Sequence, residues 1–331
     1  MAAAAHEPEV IRDKAAMRAW TRRRRAEGKA VALVPTMGFL HDGHLSLVSA
    51  AAAATADCPV AVVVSIYVNP SQFAPTEDLA TYPADLAGDL RKLAATGAVA
   101  AVFCPPDLYV RGSAGRPGSG ASGGAKSCLE EEAGGGCGHE TWIRVERLEK
   151  GLCGSSRPVF FRGVATVVAK LFNIVEPDIA VFGKKDYQQW RVICRMVRDL
   201  DFGVKIIGSE VVREPDGLAM SSRNVHLSCE EREKALSISK SLVNARSAAL
   251  SGNNHSQQIK SQIVQTVTEA GGQVDYVEIV EQESLVPLER MDRPVVICVA
   301  AWFGKLTRRV ASVSYHPEHC YVERNYGRLE S

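Results

Sequence analysis

Val31-Ala32-Leu33-Val34-Pro35-Thr36-Met37-Gly38-Phe39-Leu40-His41-Asp42-Gly43-His44 reads as a buried strand, a glycine-containing turn and a helix that begins near Gly43. A helix N-terminus offers unpaired backbone N–H groups and the positive end of a dipole, which suits a phosphate. Two imidazoles three residues apart at that turn can face one anion. A protonated imidazole there could donate to a phosphate oxygen as negative charge builds up. Alone, such a pair is an ordinary feature of turns.

Outward from this stretch, short apolar runs alternate with longer amphipathic ones. Residues 30–34, 60–68, 99–103, 179–182 and 204–207 read as buried strands, and 45–55, 86–95, 164–175 and 187–200 carry helical spacing between them. Strands alternating with helices imply right-handed crossovers. The expected fold is therefore α/β, a Rossmann-like doubly wound parallel sheet with helices on both faces, spanning residues 1–210. Ligands of such sheets bind outside the carboxyl ends of the strands. From residue 211 the texture changes to two helices, 228–251 and 257–269, and strands at 276–280 and 295–301. This predicts a smaller α+β domain, 211–331, that carries the Met220–Arg223 loop.

Three further turns fall at expected strand ends or loops. Tyr67-Val68-Asn69-Pro70-Ser71-Gln72-Phe73 brings amides that donate and accept at once, a match for a small hydroxylated acid. Phe182-Gly183-Lys184-Lys185-Asp186-Tyr187-Gln188-Gln189 combines a glycine for close backbone approach, a point charge for phosphate and a carboxylate for ribose hydroxyls. Asp216-Gly217-Leu218-Ala219-Met220-Ser221-Ser222-Arg223-Asn224 puts two hydroxyls and a guanidinium on a loop able to clamp a polyphosphate. Each is weak alone. Four together point to an ATP site.

These segments closely resemble the pantothenate synthetases, relatives of the class I aminoacyl-tRNA synthetases. The resemblance runs through 35–224 and more loosely to Gly304. It implies ligation of (R)-pantoate and β-alanine through a pantoyl adenylate, with AMP and pyrophosphate released. By motif position it implies catalytic roles for His44, His41, Lys185 and Arg223. ATP is expected at Met37, His41, His44, Gly183, Lys184, Lys185, Asp186, Val212, Met220, Ser221, Ser222 and Arg223. Gln72, Gln189 and Asn69 are expected to hold pantoate and β-alanine. Mg²⁺, carried mainly by ATP oxygens, has Asp89 as its candidate protein ligand. The resemblance also implies a homodimer. Two other readings stay open: another HxGH nucleotidyltransferase or tRNA-synthetase-like enzyme, and a non-catalytic nucleotide-binding protein on the same fold.

Composition narrows the classes. The 331 residues hold 39 Lys+Arg against 38 Asp+Glu, a net charge of +1 that gives no reason to expect nucleic acid. The Arg22–Arg25 run reads as a solvated helix face. Nine scattered cysteines without a CxxC pair indicate neither zinc nor a disulfide framework, and they fit a reducing compartment. No apolar run reaches the roughly 20 residues that span a bilayer. Acidic residues near the start argue against a transit peptide, so the cytoplasm is expected.

Two departures from the family pattern stand out. The Gly/Ser-rich stretch 111–140 reads as a disordered insertion, dispensable for chemistry and suggestive of a plant version. After Gly304 the chain runs into an unfamiliar tail, which puts the stability of the second domain in doubt.

Overall fold

The computed structural model describes residues 7–109, 126–132, 138–304 and 307–315. Most of the expected insertion and the residues after 315 lie outside them. The chain divides into two compact units, Met1–Ser228 and Cys229–Ser331. The Met220–Arg223 loop thus belongs to the first unit, although the sequence suggested a boundary at 210.

In chain order the first unit contains β1 (Glu9–Ile11), α1 (Lys14–Ala26), β2 (Ala30–Thr36), α2 (Asp42–Ala52), β3 (Val60–Ile66), α3 (Leu86–Thr96), β4 (Val99–Phe103), α4 (Cys128–Glu132), α5 (Leu152–Ser156), α6 (Phe160–Val175), β5 (Ile179–Gly183), α7 (Tyr187–Asp199) and β6 (Lys205–Ser209). All six strands pair in parallel, in the order β1-β4-β3-β2-β5-β6. Val31–Val34 and Val62–Val64 are fully buried, as continuous apolar strands covered on both faces should be. The chain moves from β2 to one side through β3 and β4, then returns to the other side with β5. The crevice between the carboxyl ends of β2 and β5 is therefore the topological switch point, where such sheets take their ligands.

Helix α1 begins at Asp13, whose carboxylate accepts from the Ala16 N–H at 2.8 Å. Met17, Trp20 and Thr21 form its buried face. The arginine run does more than solvate it. Arg18 donates to the Asn173 carbonyl, Arg22 meets Glu176, and Arg25 bridges the Glu176 carbonyl and Asp178. The run fastens α1 to the segment that leaves α6.

Part of the expected insertion corrects the sequence reading. Ser127 and Leu129 are buried, Cys128 donates its N–H to the Phe73 carbonyl at 2.9 Å, and Arg162 meets Glu130 at 2.7 Å. One buried leucine and one ion pair suffice to dock a short helix beside the Asn69–Phe73 segment.

The second unit contains α8 (Cys229–Leu250), α9 (Ser256–Glu269), β7 (Gln273–Glu281), β8 (Val295–Phe303) and β9 (Thr307–Tyr315). The strands form an antiparallel sheet ordered β7-β8-β9. Strand β9 was not expected. It pairs with β8 along its whole length, from Phe303↔Thr307 to Val295↔Tyr315. Thr307–Tyr315, within the unfamiliar stretch, therefore complete a sheet. Arg308-Arg309 interrupts the apolar texture that would have marked the strand in sequence.

Candidate active site

The first unit holds a cavity of about 250 Å³, lined wholly by its own residues. Strand β2 delivers Pro35, Thr36 and Met37 to the rim, and the following turn delivers His41, Gly43 and His44. Gly38 takes φ +85°, a conformation that glycine adopts without strain, and Phe39 follows at +52°. The turn is held from below by Asp89. Its two oxygens accept the Phe39 N–H at 2.8 Å and the Leu40 N–H at 2.7 Å.

Asp89 was the candidate metal ligand, and the geometry corrects that expectation. It is 1% exposed, does not line the cavity, and spends both oxygens on backbone N–H groups. Among the described residues no group of three His, Cys, Asp or Glu could hold a metal ion.

His41 caps α2 with its backbone in extended conformation, and its ring folds back over Gly43. A Cβ at position 43 would lie 2.8 Å from that ring, so the motif's glycine makes room for its own histidine. The two imidazole centroids are 4.0 Å apart. His44 Nδ1 accepts the His41 backbone N–H at 3.4 Å, which places the proton of a neutral His44 ring on Nε2. His41 Nδ1 is buried with no hydrogen-bond partner among the described residues.

Burial and then Lys185 depress the pKa of His41 to about 4. Burial, the His41 ring and Lys185 depress that of His44 to about 3. Both rings are therefore neutral at pH 7, contrary to the protonated imidazole expected from sequence. They can still donate, through one N–H each. Because the folded values lie below the ordinary 6.5, the stability that comes from keeping the rings neutral is full above pH 6.5. It is lost as pH falls toward about 4 and about 3. In a ring-proton NMR titration these two histidines should stay in the neutral form down to about pH 5. A midpoint near 6.5 for either would overturn this description of the site.

Strand β3 leads to the second wall. Asn69 lines the cavity, yet its amide is committed elsewhere. Nδ2 donates to Gln72 Oε1 at 3.0 Å and to the Gly163 carbonyl at 3.2 Å, while Oδ1 accepts from Ser71 Oγ at 2.9 Å. With its Oε1 taken, Gln72 presents its NH₂ as the remaining polar group. It is a donor, suited to a carboxylate or hydroxyl oxygen.

Strand β5 leads to Gly183, Lys185, Asp186 and Gln189, all on the cavity. Burial would raise the Asp186 carboxyl, but Lys185 at 3.2 Å outweighs it and holds the group below the usual range. The twin glutamines divide. Gln189 faces the cavity, whereas buried Gln188 ties residues 148–153 to α7 through the Leu148, Lys150 and Gly151 carbonyls and the Cys153 N–H. Lys184, expected at ATP, does not line the cavity; it pairs with Glu210 and sits 5.4 Å from the Trp190 ring centroid.

The last wall comes from residues 210–223. Arg213 and Ala219 form an antiparallel bridge around a turn at Gly217, and Met220 donates its N–H to the Val212 carbonyl at 3.0 Å. That hairpin sets Met220, Ser221, Ser222 and Arg223 against the cavity. Ser222 Oγ donates to the Phe39 carbonyl at 3.0 Å, joining this loop to the histidine turn.

Among the contributors that sequence reasoning missed, two are of different kinds. One is the apolar face of α6, where Phe160, Val164, Val167, Val168 and Leu171 recur at helical spacing along the cavity. The periodicity was visible, but nothing in it distinguishes a ligand wall from core. The other is Arg157, bound to Glu77 at 2.5 and 3.0 Å and lying 3.8 Å from the Phe160 ring centroid. No local motif marks it.

Known proteins resemble the chain in both sequence and fold. The family model for pantoate-beta-alanine ligase matches residues 9–310. A pantoate–beta-alanine ligase from Oryza sativa subsp. japonica is 80% identical over 304 residues, 92% of this chain and 96% of that one. The crystal structure of pantothenate synthetase from Thermus thermophilus superposes with a TM-score of 0.76 at 37% identity, covering 92% of this chain and 98% of that one. The crystal structure of a Francisella tularensis pantoate-beta-alanine ligase, complexed with beta-gamma ATP and beta-alanine, gives a TM-score of 0.63 at 27% identity over 92% and 97% of the two chains. No helix among the described residues is long and apolar enough to cross a membrane. A neutral imidazole pair, a carboxamide donor and a hydroxyl-guanidinium loop thus meet at the switch point of a sheet that the sequence relatives share, and the chain belongs to the pantoate–beta-alanine ligase family.

Proposed function

We propose that the cavity joins (R)-pantoate to β-alanine at the expense of ATP. One observation carries the reading. Phosphate-type donors (the α2 N-terminus, His41, His44, Lys185, Ser221, Ser222 and Arg223) line the same cavity as a carboxamide pair and an apolar helix face.

The triphosphate lies against the donors, with Met37, Gly183, Asp186, Val212 and Met220 around the nucleoside. Pantoate, a branched hydroxy acid, sets its methyl groups on α6 and its oxygens on Gln72 and Gln189. In the first step a pantoate carboxylate oxygen attacks the α-phosphorus and the bond to pyrophosphate breaks. In the second, the free amine of β-alanine attacks the acyl carbon of pantoyl adenylate, AMP leaves, and the nitrogen loses a proton. No side chain need become covalent, so catalysis is positioning plus charge stabilisation. The His44 Nε2 proton is the group placed to follow charge on the phosphates.

Mg²⁺ enters with the nucleotide in this reading and is held mainly by phosphate oxygens, because the described residues offer no carboxylate cage. The near-neutral net charge supports small-molecule substrates rather than nucleic acid. The reading also takes the enzyme as a cytoplasmic homodimer.

Pyrophosphate release from ATP and Mg²⁺ tests the proposal. With pantoate and β-alanine both present, turnover continues with one AMP per pyrophosphate. Without β-alanine, it stops after about one equivalent per site. A folded protein that binds ATP but releases no pyrophosphate with pantoate would sink the proposal.

A further inference from the structure

We propose that Asp78 is a positioning residue for Arg223, fixing the plane of its guanidinium so that the group meets the triphosphate in one orientation. The inference rests on the ligase reading above.

Arg223 lines the cavity and Asp78 does not. Their contact is side-on and bidentate, Nε to Oδ2 at 2.7 Å and Nη2 to Oδ1 at 3.0 Å. A fork of this kind sets orientation as well as distance, which a single bond cannot do. Their side chains are 26% and 31% exposed, so the pair is partly sheltered from water. Burial would raise the Asp78 carboxyl, but Arg223 outweighs it and keeps the group below the ordinary carboxylate range.

The other face of the arrangement is equally constrained. The Tyr82 ring centroid lies 5.1 Å from Arg223 Cζ. Residues 78–82 therefore touch Arg223 through a carboxylate and a ring. Next to Asp78, Glu77 holds Arg157 by the same two-point geometry. Two consecutive acids each orient one cavity arginine.

A carboxylate this close to the triphosphate also carries an electrostatic penalty, and that gives the proposal its signature. D78N removes the repulsion, so ground-state affinity for ATP is not weakened. It also removes the fork, so Arg223 samples other rotamers and the transition state loses a placed donor. Turnover should fall roughly ten- to hundredfold while KM for ATP stays unchanged or decreases. In an R223A background, D78N should have no further effect on kcat, because a residue that acts through another is silent without it.

The experiment measures kcat and KM for ATP by pyrophosphate release in wild type, D78N, R223A and the double variant, with the Tm of each. Wild-type kcat in D78N, a raised KM with intact kcat, or losses that add in the double variant would overturn the proposal. If D78N does not fold, D78E carries the same cycle; it keeps the charge but shifts the oxygens by one methylene, and should show a smaller loss of kcat. Absence of pyrophosphate release from the wild type itself would count against the ligase reading and not against this pair.

Discussion

Replacing His44 with alanine should lower kcat for pyrophosphate release by roughly 10²–10³, the effect of deleting one preorganised donor from a site that stabilises developing charge. His44 lines the cavity, and its pKa of about 3 keeps the ring neutral. A neutral ring costs less to bury than a cation, and because Nδ1 is tied to the His41 N–H, its one proton points from Nε2. The donor is therefore set before substrate arrives. It gains strength only when charge accumulates on a phosphate oxygen, which is why kcat should fall more than KM rises.

Alanine would also leave the His41 N–H without this acceptor and remove the ring whose centroid lies 4.0 Å from that of His41. Comparing H44A with H44Q separates these effects. Glutamine keeps an amide donor on a side chain of similar reach and should recover part of the loss. Measured by single-turnover pyrophosphate release at saturating ATP and pantoate, near-normal rates in H44A would remove His44 from the chemistry.

The sheet was legible because its strands are continuous apolar runs, which two covered faces require. Ala30–Val34 and Ile179–Phe182 needed only small extensions, to Thr36 and Gly183. The site motifs were legible because each follows a strand and the switch point gathers such turns. What escaped has physical reasons. Lys184 and Lys185 are neighbours in sequence, but only one can face the cavity at a strand-to-helix turn, and sequence does not say which. Asp89 is a carboxylate of the right kind, spent on backbone N–H groups that no motif reveals. The histidines' neutrality depends on burial and on Lys185, which comes from a distant strand. Arg157 and Asp78 act through long-range pairs of the same sort.

The second large effect is expected from Gly163→Ala, a substitution distant in sequence from every motif. Gly163 lies in the first turns of α6, directly against the Pro70–Gln72 segment. A Cβ there would lie 2.3 Å from the Ser71 carbonyl oxygen and 2.6 Å from Gln72 Cα. Both are backbone atoms, so no rotamer change can relieve the contact; the segment or the helix must move by about 1 Å to restore van der Waals spacing. Alanine would contribute about 1 kcal/mol of helix propensity, but overpacking of this kind costs typically 1–3 kcal/mol, so a net loss of stability is expected. The functional loss should be larger than the stability loss. The Gly163 carbonyl receives Asn69 Nδ2 at 3.2 Å, and the same Nδ2 orients Gln72. Displacing the segment moves the carboxamide proposed to hold pantoate, and a misplacement of that size can cost on the order of 10²-fold. Steady-state kinetics should show kcat/KM for pantoate down by about two orders of magnitude, while ATP binding to the free enzyme, followed by calorimetry, changes little. The groups proposed for the nucleotide follow β2 and β5 or sit on the 210–223 hairpin, which Gly163 does not touch. A raised Tm with unchanged pantoate kinetics would mean that the Asn69–Gln72 segment has slack, and Gln72 would then lose its standing as a rigidly placed donor.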